Sequence, residues 1–150
     1  MVFVPPPAGG MAPLAGARDF LDELRSRYQV VILSDTFYEF AAPLMRQLGY
    51  PTLLCHRLET AADRRVSGYR IRLADHKRRT VATLHELNFR TIAADDSYND
   101  TAMLGEADAG ILFHPPENVI REFPQFPVAL TYDELRTAFV EADARLAAAS

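Results

Sequence analysis

Residues 90–103 have the sequence RTIAADDSYNDTAM, in which a short apolar run leads directly into a polar cluster, DDSYND (95–100). A continuous run of apolar residues with turn-forming residues after it is typical of a strand that is buried on both faces. Two other runs have the same form, QVVIL at 29–33 and AGILF at 109–113. Short buried strands that alternate with helical segments predict βαβ units and a mainly parallel sheet, and therefore an α/β fold.

Helical spacing of apolar residues predicts helices at residues 16–27, 36–48, 76–87, 99–106 and 132–146. Phe40 and Val140 are expected on the inward faces of their helices. The segments TLLCHRLE (52–59) and GYRIRL (68–73) alternate with a period of two and predict a small β-hairpin flap. Proline and glycine dominate the beginning of the chain, so residues 1–13 are expected to be a loose lead-in to a core at residues 14–150.

The composition of the 150 residues excludes several classes of protein. Sixteen Lys and Arg against 20 Asp and Glu give a net charge of −4, with no basic stripe of the kind that binds nucleic acid. No apolar run approaches the ~20 residues that span a bilayer. The single cysteine, Cys55, allows no internal disulfide and is expected to be packed in a strand. We expect a soluble, cytoplasmic protein with no nucleic-acid or membrane partner.

Ligands of open parallel sheets bind beyond the carboxyl ends of the strands, which here carry Ser34, Asp96 and Asp100. Carboxylate oxygens such as those of Asp96 and Asp100 are the ligands that Mg²⁺ prefers. Both segments also have a purely structural interpretation. Ser97-x-x-Asp100 has the pattern of a helix capping box, and so has the segment TFYE at 36–39 after the first strand.

A basic cluster, HKRR at residues 76–79, lies at the start of a predicted helix. The helix dipole disfavours cations at that end, and such local inconsistencies are typical of functional sites. This observation makes Lys77 a candidate functional residue. The alternative is that the cluster forms a solvated basic face.

Taken in order, a serine after a strand, a lysine at a helix start and the sequence DDSYNDTAM (95–103) resemble the haloacid-dehalogenase-like (HAD) phosphohydrolases. The resemblance is closest to the phosphoserine phosphatase branch. Together with VVILSDTFYEF (30–40) and AGILFHPPENVIREFPQFP (109–127), it extends to the bifunctional phosphoserine phosphatase/homoserine phosphotransferase proteins. It implies a Rossmannoid, three-layer α/β/α fold, a small phosphorylated substrate such as phosphoserine, Mg²⁺ as cofactor, and a role in serine biosynthesis.

The resemblance also implies a role for each matching residue. Asp96 and Asp100 are expected to hold the metal, and Lys77 to neutralise charge on the transferred phosphoryl group. Substrate or phosphate contacts are expected from Ser34, Asp35 and Asn99. Positioned cations and directed donors are what phosphoryl transfer asks of a protein.

Two departures from the family pattern bear on activity. Asp95 stands where the family motif has glycine, and no Asp-x-Asp or Asp-x-Glu nucleophile motif precedes Ser34. The central strand and the cap that accompany that motif are also expected to be missing. We therefore expect a phosphomonoester hydrolase, acting through an aspartyl-phosphate, in a truncated and inactive form. The alternative is a non-catalytic domain that binds a phosphorylated ligand or a partner chain. Unpaired strand edges would favour a homodimer.

Overall fold

The computed structural model describes residues 12–149. They divide into two compact units, here called the N-terminal unit (residues 12–74) and the C-terminal unit (residues 75–149). Nearly all of the expected lead-in, residues 1–11, lies outside the described residues. The division of the chain into a lead-in and one core stays a prediction.

The N-terminal unit consists of α1 (Ala17–Arg27), β1 (Val31–Phe37), α2 (Tyr38–Gln47), β2 (Thr52–Thr60) and β3 (Val66–Arg70). β1 pairs with β2 in parallel, and β2 pairs with β3 as an antiparallel hairpin, which confirms the predicted flap. Gly49 ends α2 with a φ of 73°, a conformation that suits glycine, and the N–H of Tyr50 donates back to the carbonyl of Met45.

An irregularity in β1 corrects two predicted boundaries. Leu33 lies opposite Leu54 and Phe37 lies opposite His56, so β1 uses more residues than β2 over this interval. The chain therefore stays extended through residues 34–37, where the sequence pattern predicted the beginning of a helix. α2 starts at Tyr38, and its N-cap, Phe37, makes no side-chain capping bond. The capping interpretation of residues 36–39 is therefore wrong.

The C-terminal unit consists of α3 (His76–Glu86), β4 (Ile92–Asp95), a 3₁₀ turn (Tyr98–Asp100), α4 (Thr101–Glu106), β5 (Ala109–Phe113), α5 (Glu117–Glu122), β6 (Val128–Ala129) and α6 (Tyr132–Ala148). Its sheet has the order β4-β5-β6 and is entirely parallel. The side chains of Ile111, Leu112 and Phe113 are all buried, as expected for a strand covered on both faces. The two-residue strand β6 has no periodicity that a sequence could display.

Within the described residues, three of the four strand pairs are parallel, which confirms the α/β class. β1 and β4 each pair along one edge only in that part of the chain. Phe40 and Val140 are exposed, contrary to prediction. Phe40 packs edge-to-face on Phe37, and the buried residues of α6 are Leu135, which the sequence also places inward, and Ala142. None of the helices found in residues 12–149 combines the length and the apolar character that crossing a membrane requires.

Candidate active site

The segment that follows β4 is organised around a buried carboxylate. Asp95 is the last residue of β4, and its side chain turns back onto the loop. Its Oδ1 accepts hydrogen bonds from the backbone N–H of Asp96 at 2.7 Å and of Ser97 at 3.2 Å. A buried carboxylate is stable when hydrogen bonds replace its lost water. The carboxylate of Asp95 is thus directed into its own loop.

Asp100 is held by two donors from different parts of the C-terminal unit. The ammonium Nζ of Lys77 and the hydroxyl Oγ of Ser97 both lie 2.8 Å from Oδ2 of Asp100. The side chains of Lys77 and Asp100 are only 13% and 10% exposed. Little water reaches the pair to screen it, so it fixes the position of both charges. The structure therefore brings together two of the predicted site residues, Lys77 and Asp100.

The predicted capping box at Ser97 is wrong. Ser97 makes no side-chain capping bond, because its hydroxyl donates to the carboxylate of Asp100 and does not accept a backbone N–H. The turn is closed by backbone instead, with the N–H of Asp100 donating to the carbonyl of Ser97 at 3.2 Å. Ser97 therefore positions the side chain of Asp100 and does not cap the turn.

Asp96 and Asn99 differ from their neighbours in this loop. The Asp96 carboxylate is half-buried, and it makes no hydrogen bond or ion pair with any residue in the range 12–149. Asn99 is exposed in the 3₁₀ turn. A half-buried carboxylate without a protein partner, four residues before a second carboxylate that is held in place, is a donor set that suits a hard divalent cation. The chemistry of these two carboxylates therefore suits Mg²⁺.

Two cations of the basic cluster at the start of α3 pair with acidic side chains. The first turn of α3 itself contains no acidic residue. Lys77 contacts Asp100, while Arg78 contacts Asp75 at 2.6 Å and Glu106 at 3.4 Å. These contacts raise the pKa of Arg78, first through the Asp75 hydrogen bond. The cluster is therefore not a freely solvated face at Lys77 and Arg78.

In the N-terminal unit, Ser34 and Asp35 occupy the irregular part of β1. The Oγ of Ser34 accepts the N–H of Thr36 at 3.3 Å, a local bond within the extended segment. The Asp35 side chain is 65% exposed, and its Oδ1 lies 3.7 Å from Nε2 of His56. Both predicted contact residues are thus presented by a bulge, a feature that commonly re-aims side chains beside functional sites.

His56 is a residue that the sequence interpretation missed. It is buried, and its Nδ1 accepts the backbone N–H of Arg72 at 3.2 Å. Because Nδ1 is an acceptor, the proton of the neutral imidazole lies on Nε2, the nitrogen nearer Asp35. The alternation of β2 gave no signal for it, since the neighbouring residue Cys55 is buried as well.

Cys55 is fully buried, which confirms the expectation that it is packed. Burial raises the pKa of its thiol to about 11, and the charge of Arg72 opposes this shift. A thiol with such a pKa is almost entirely protonated at neutral pH and is a poor nucleophile.

Comparison with known proteins gives a consistent result. The haloacid dehalogenase-like hydrolase family matches residues 8–108. A phosphoserine phosphatase of Pseudomonas syringae pv. tomato is 64% identical over 135 residues, 90% of this chain and 57% of that protein. Phosphoserine phosphatase ThrH of Pseudomonas aeruginosa is 62% identical over 135 residues, 90% of this chain and 66% of that protein. The chain therefore spans less than two thirds of the length of either relative.

The fold is shared with solved structures. A probable phosphoserine phosphatase from Vibrio cholerae superposes with a TM-score of 0.70 at 22% identity, over 87% of this chain and 42% of that one. A likeness at this level of identity establishes the fold, and the family match extends over most of the chain. With a HAD-like α/β fold and the expected polar loop after β4, the chain belongs to the haloacid dehalogenase-like hydrolase family.

Proposed function

We propose that the chain is part of a phosphoserine phosphatase-type phosphomonoester hydrolase that requires Mg²⁺ and acts on a small phosphorylated metabolite in the cytoplasm. The observation that carries the proposal is the β4 loop, where Lys77 and Ser97 hold the carboxylate of Asp100 while the carboxylate of Asp96 has no partner within residues 12–149. The relatives named phosphoserine phosphatase support the substrate class. Transfer of the phosphoryl group to homoserine is a further proposed activity.

Asp96 and Asp100 are the proposed ligands of Mg²⁺. When bound, Mg²⁺ supplies positive charge to the phosphate oxygens and orients them. The carboxylate of Asp96 makes no hydrogen bond or ion pair with the described residues, 12–149. Asp100 already uses Oδ2 for Lys77 and Ser97, so its Oδ1 is the oxygen suited to the cation or to water on the cation. Two carboxylates plus water and phosphate is the usual way in which proteins bind Mg²⁺.

The other proposed site residues supply donors and a fixed charge. Lys77 is held by Asp100, and its ammonium would stabilise the negative charge of the substrate's phosphoryl group. We assign hydrogen bonds to that group to Ser34, and contacts with the remainder of the substrate to Asp35 and Asn99. Asp35 and Asn99 are exposed, which leaves both side chains accessible to a small ligand.

The residues before Ser34 include no Asp-x-Asp or Asp-x-Glu motif, and none of the first 16 residues is acidic. A second candidate is that the 150 residues bind a phosphorylated ligand or a partner chain without turnover. Both candidates use the β4 loop. They differ in whether a nucleophile from another segment completes the site.

A chimera separates these candidates. The segment that precedes the matched region in the Pseudomonas aeruginosa relative would be fused to residues 14–150, and phosphate release from phosphoserine would be measured with and without Mg²⁺. We expect turnover by the chimera with Mg²⁺ and none by the 150 residues alone. Asp96→Asn in the chimera should lower kcat at least about 100-fold, since it removes a metal ligand.

Asp133→Asn is the matched control, because Asp133 is a highly exposed carboxylate on α6. It removes the same charge, and the rate should stay within about twofold of the unmodified chimera. A chimera that folds and binds Mg²⁺ but releases no phosphate would favour the non-catalytic candidate. Turnover that survives Asp96→Asn would contradict the proposed metal site.

A further inference from the structure

Asp95 stands out among the acidic residues of the β4 loop because it is buried and yet is not one of the proposed ligands. Only 7% of its surface is exposed, and its Cα lies opposite that of Leu112 in the ladder between β4 and β5. A charged group at such a position is expensive to bury unless it makes strong hydrogen bonds. The two N–H groups that it accepts, those of Asp96 and Ser97, meet this need.

These two bonds connect Asp95 to both proposed metal ligands. The first fixes the main chain of Asp96, whose own side chain makes no contact with a polar partner in residues 12–149. The second fixes the main chain of Ser97, whose hydroxyl donates to Oδ2 of Asp100. Hydrogen bonds to a single carboxylate therefore fix the main chain of Asp96 and the position from which the Ser97 hydroxyl reaches Asp100.

A glycine at position 95, as in the motif that the sequence resembles, has no side chain with which to make either bond. Without them, the Asp96 carboxylate would depend on backbone conformation alone for its direction. Metal sites in proteins bind tightly when hydrogen bonds orient the ligands, and loss of such an orienting group weakens affinity by about 10–100-fold.

We propose that Asp95 is a positioning residue of this chain, which acts through the backbone of residues 96–97 to hold the carboxylates of Asp96 and Asp100 in the geometry that a divalent cation requires. The proposal rests on the proposed metal site of Asp96 and Asp100. It assigns Asp95 no contact with metal or substrate.

The test measures binding of Mn²⁺ alone, as a spectroscopic substitute for Mg²⁺, to the 150-residue chain by electron paramagnetic resonance. Asp95→Asn keeps an oxygen in the position of Oδ1 and removes the charge, whereas Asp95→Ala removes the acceptor. We expect Asp95→Ala to weaken binding about 10-fold or more and Asp95→Asn to remain within about threefold of the unmodified chain. Asp133→Asn, the exposed control, should leave the affinity unchanged.

Equal weakening by Asp95→Asn and Asp95→Ala would overturn the proposal, since charge and not hydrogen bonding would then be responsible. Unchanged affinity in Asp95→Ala would overturn it as well, even if that variant melted at a lower temperature. Asp96→Asn separates the two proposals: retained Mn²⁺ binding in that variant refutes the metal site itself, whereas its loss together with an unaffected Asp95→Ala refutes only the positioning role.

Hydrogen exchange keeps the proposal testable if Asp95→Ala does not fold. In the unmodified chain, the amide protons of Asp96 and Ser97 should exchange slowly, because both donate to Asp95. Fast exchange at both amides, in a chain whose β5 amides are protected, would show that the bonds do not persist and would overturn the proposal.

Discussion

The two units hold their carboxylates in opposite ways. In the C-terminal unit, Asp95 and Asp100 are buried, and each accepts two hydrogen bonds from its own unit. In the N-terminal unit, Asp35 is exposed on the bulge of β1, with the imidazole of His56 3.7 Å away. Phosphoryl transfer needs groups whose positions are fixed before substrate arrives. Asp95 and Asp100 are fixed by residues of their own unit, whereas the side chain of Asp35 is largely exposed to solvent.

The sheets of the two units differ in the same direction. All strands of the C-terminal sheet are parallel, and β5 is buried on both faces. The N-terminal sheet ends in the antiparallel flap, where Val66 and Tyr69 are exposed. Antiparallel strands tolerate solvent on one face, whereas parallel strands are covered on both. We therefore expect substitutions to be costlier in the C-terminal unit.

Removal of one partner from a buried ion pair should have the largest effect. Lys77→Met leaves the buried carboxylate of Asp100 with Ser97 as its remaining donor. An uncompensated buried charge typically lowers the free energy of unfolding by about 3 kcal/mol. Urea denaturation of the 150-residue chain measures the change, and the double variant Lys77→Met, Asp100→Leu should recover part of it.

The N-terminal unit provides the matched control for this change. Arg70 and Glu59 form an ion pair across the flap at 3.3 Å, with side chains that are 76% and 50% exposed. Solvent screens such pairs, so Arg70→Met should change the free energy of unfolding by less than about 1 kcal/mol. Equal losses from Lys77→Met and Arg70→Met would contradict the contrast between the units.

Backbone packing around Gly110 in β5 should give the next largest effect. A Cβ at this position would lie 2.7 Å from the carbonyl of Leu104 and 2.8 Å from the ring of Phe126. Because the nearest atom belongs to the backbone, the contact with Leu104 cannot be relieved cheaply. Gly110→Ala should therefore lower the free energy of unfolding by about 2 kcal/mol, measured by urea denaturation.

Two other glycines test whether this cost depends on location. A Cβ on Gly105 in α4 meets no atom within 4 Å, so Gly105→Ala should stabilise the chain by up to about 1 kcal/mol through helix propensity. A Cβ on Gly68 in the flap meets the mobile end of Glu59 at 3.2 Å, and Gly68→Ala should stay within about 0.5 kcal/mol. A large loss of unfolding free energy in Gly68→Ala would show that the flap is tightly packed, which would contradict the contrast between the two units.

The fold class could be predicted from the sequence because the strands carry a simple signal. The runs at 29–33, 90–94 and 109–113 are mainly apolar, and each overlaps a strand of the structure. The end of β1 could not be predicted, since a polar bulge and a helix start have the same composition. The two-residue strand β6 was missed because two residues establish no period.

The residue types of the proposed site follow from the sequence, whereas the contacts that these residues make do not. Polar residues after a strand mark Asp96 and Asp100, but the same letters also fit a capping box. The choice between the two interpretations depends on whether the Ser97 hydroxyl donates or accepts, which is a property of the tertiary structure. Asp95 is a similar case: the sequence shows only a carboxylate in place of the glycine of the motif, whereas the structure shows that it is buried and accepts two N–H groups of its own loop.

A smaller effect is expected from Asp108, which precedes β5 and whose carboxylate accepts the backbone N–H of Thr91, at the end of the parallel strands opposite the β4 loop. Burial would raise the pKa of Asp108, but the hydrogen bond from the N–H of Thr91 and the neighbouring His85 lower it below its ordinary value of 3.8. A carboxyl group with a lowered pKa stabilises the folded state above pH 3.8, and the contribution disappears as the pH falls through the lower, folded-state value. Asp108→Asn should therefore lower the free energy of unfolding by about 1 kcal/mol at pH 7, with a difference from the unmodified chain that shrinks below pH 3.8.

In the N-terminal unit, Glu39 likewise accepts the N–H of Leu58, which lowers its pKa, but this carboxylate is fully exposed. Urea denaturation of Asp108→Asn and Glu39→Gln at pH 7 and pH 3 measures both contributions, and an effect of Glu39→Gln as large as that of Asp108→Asn would show that exposure does not separate the units.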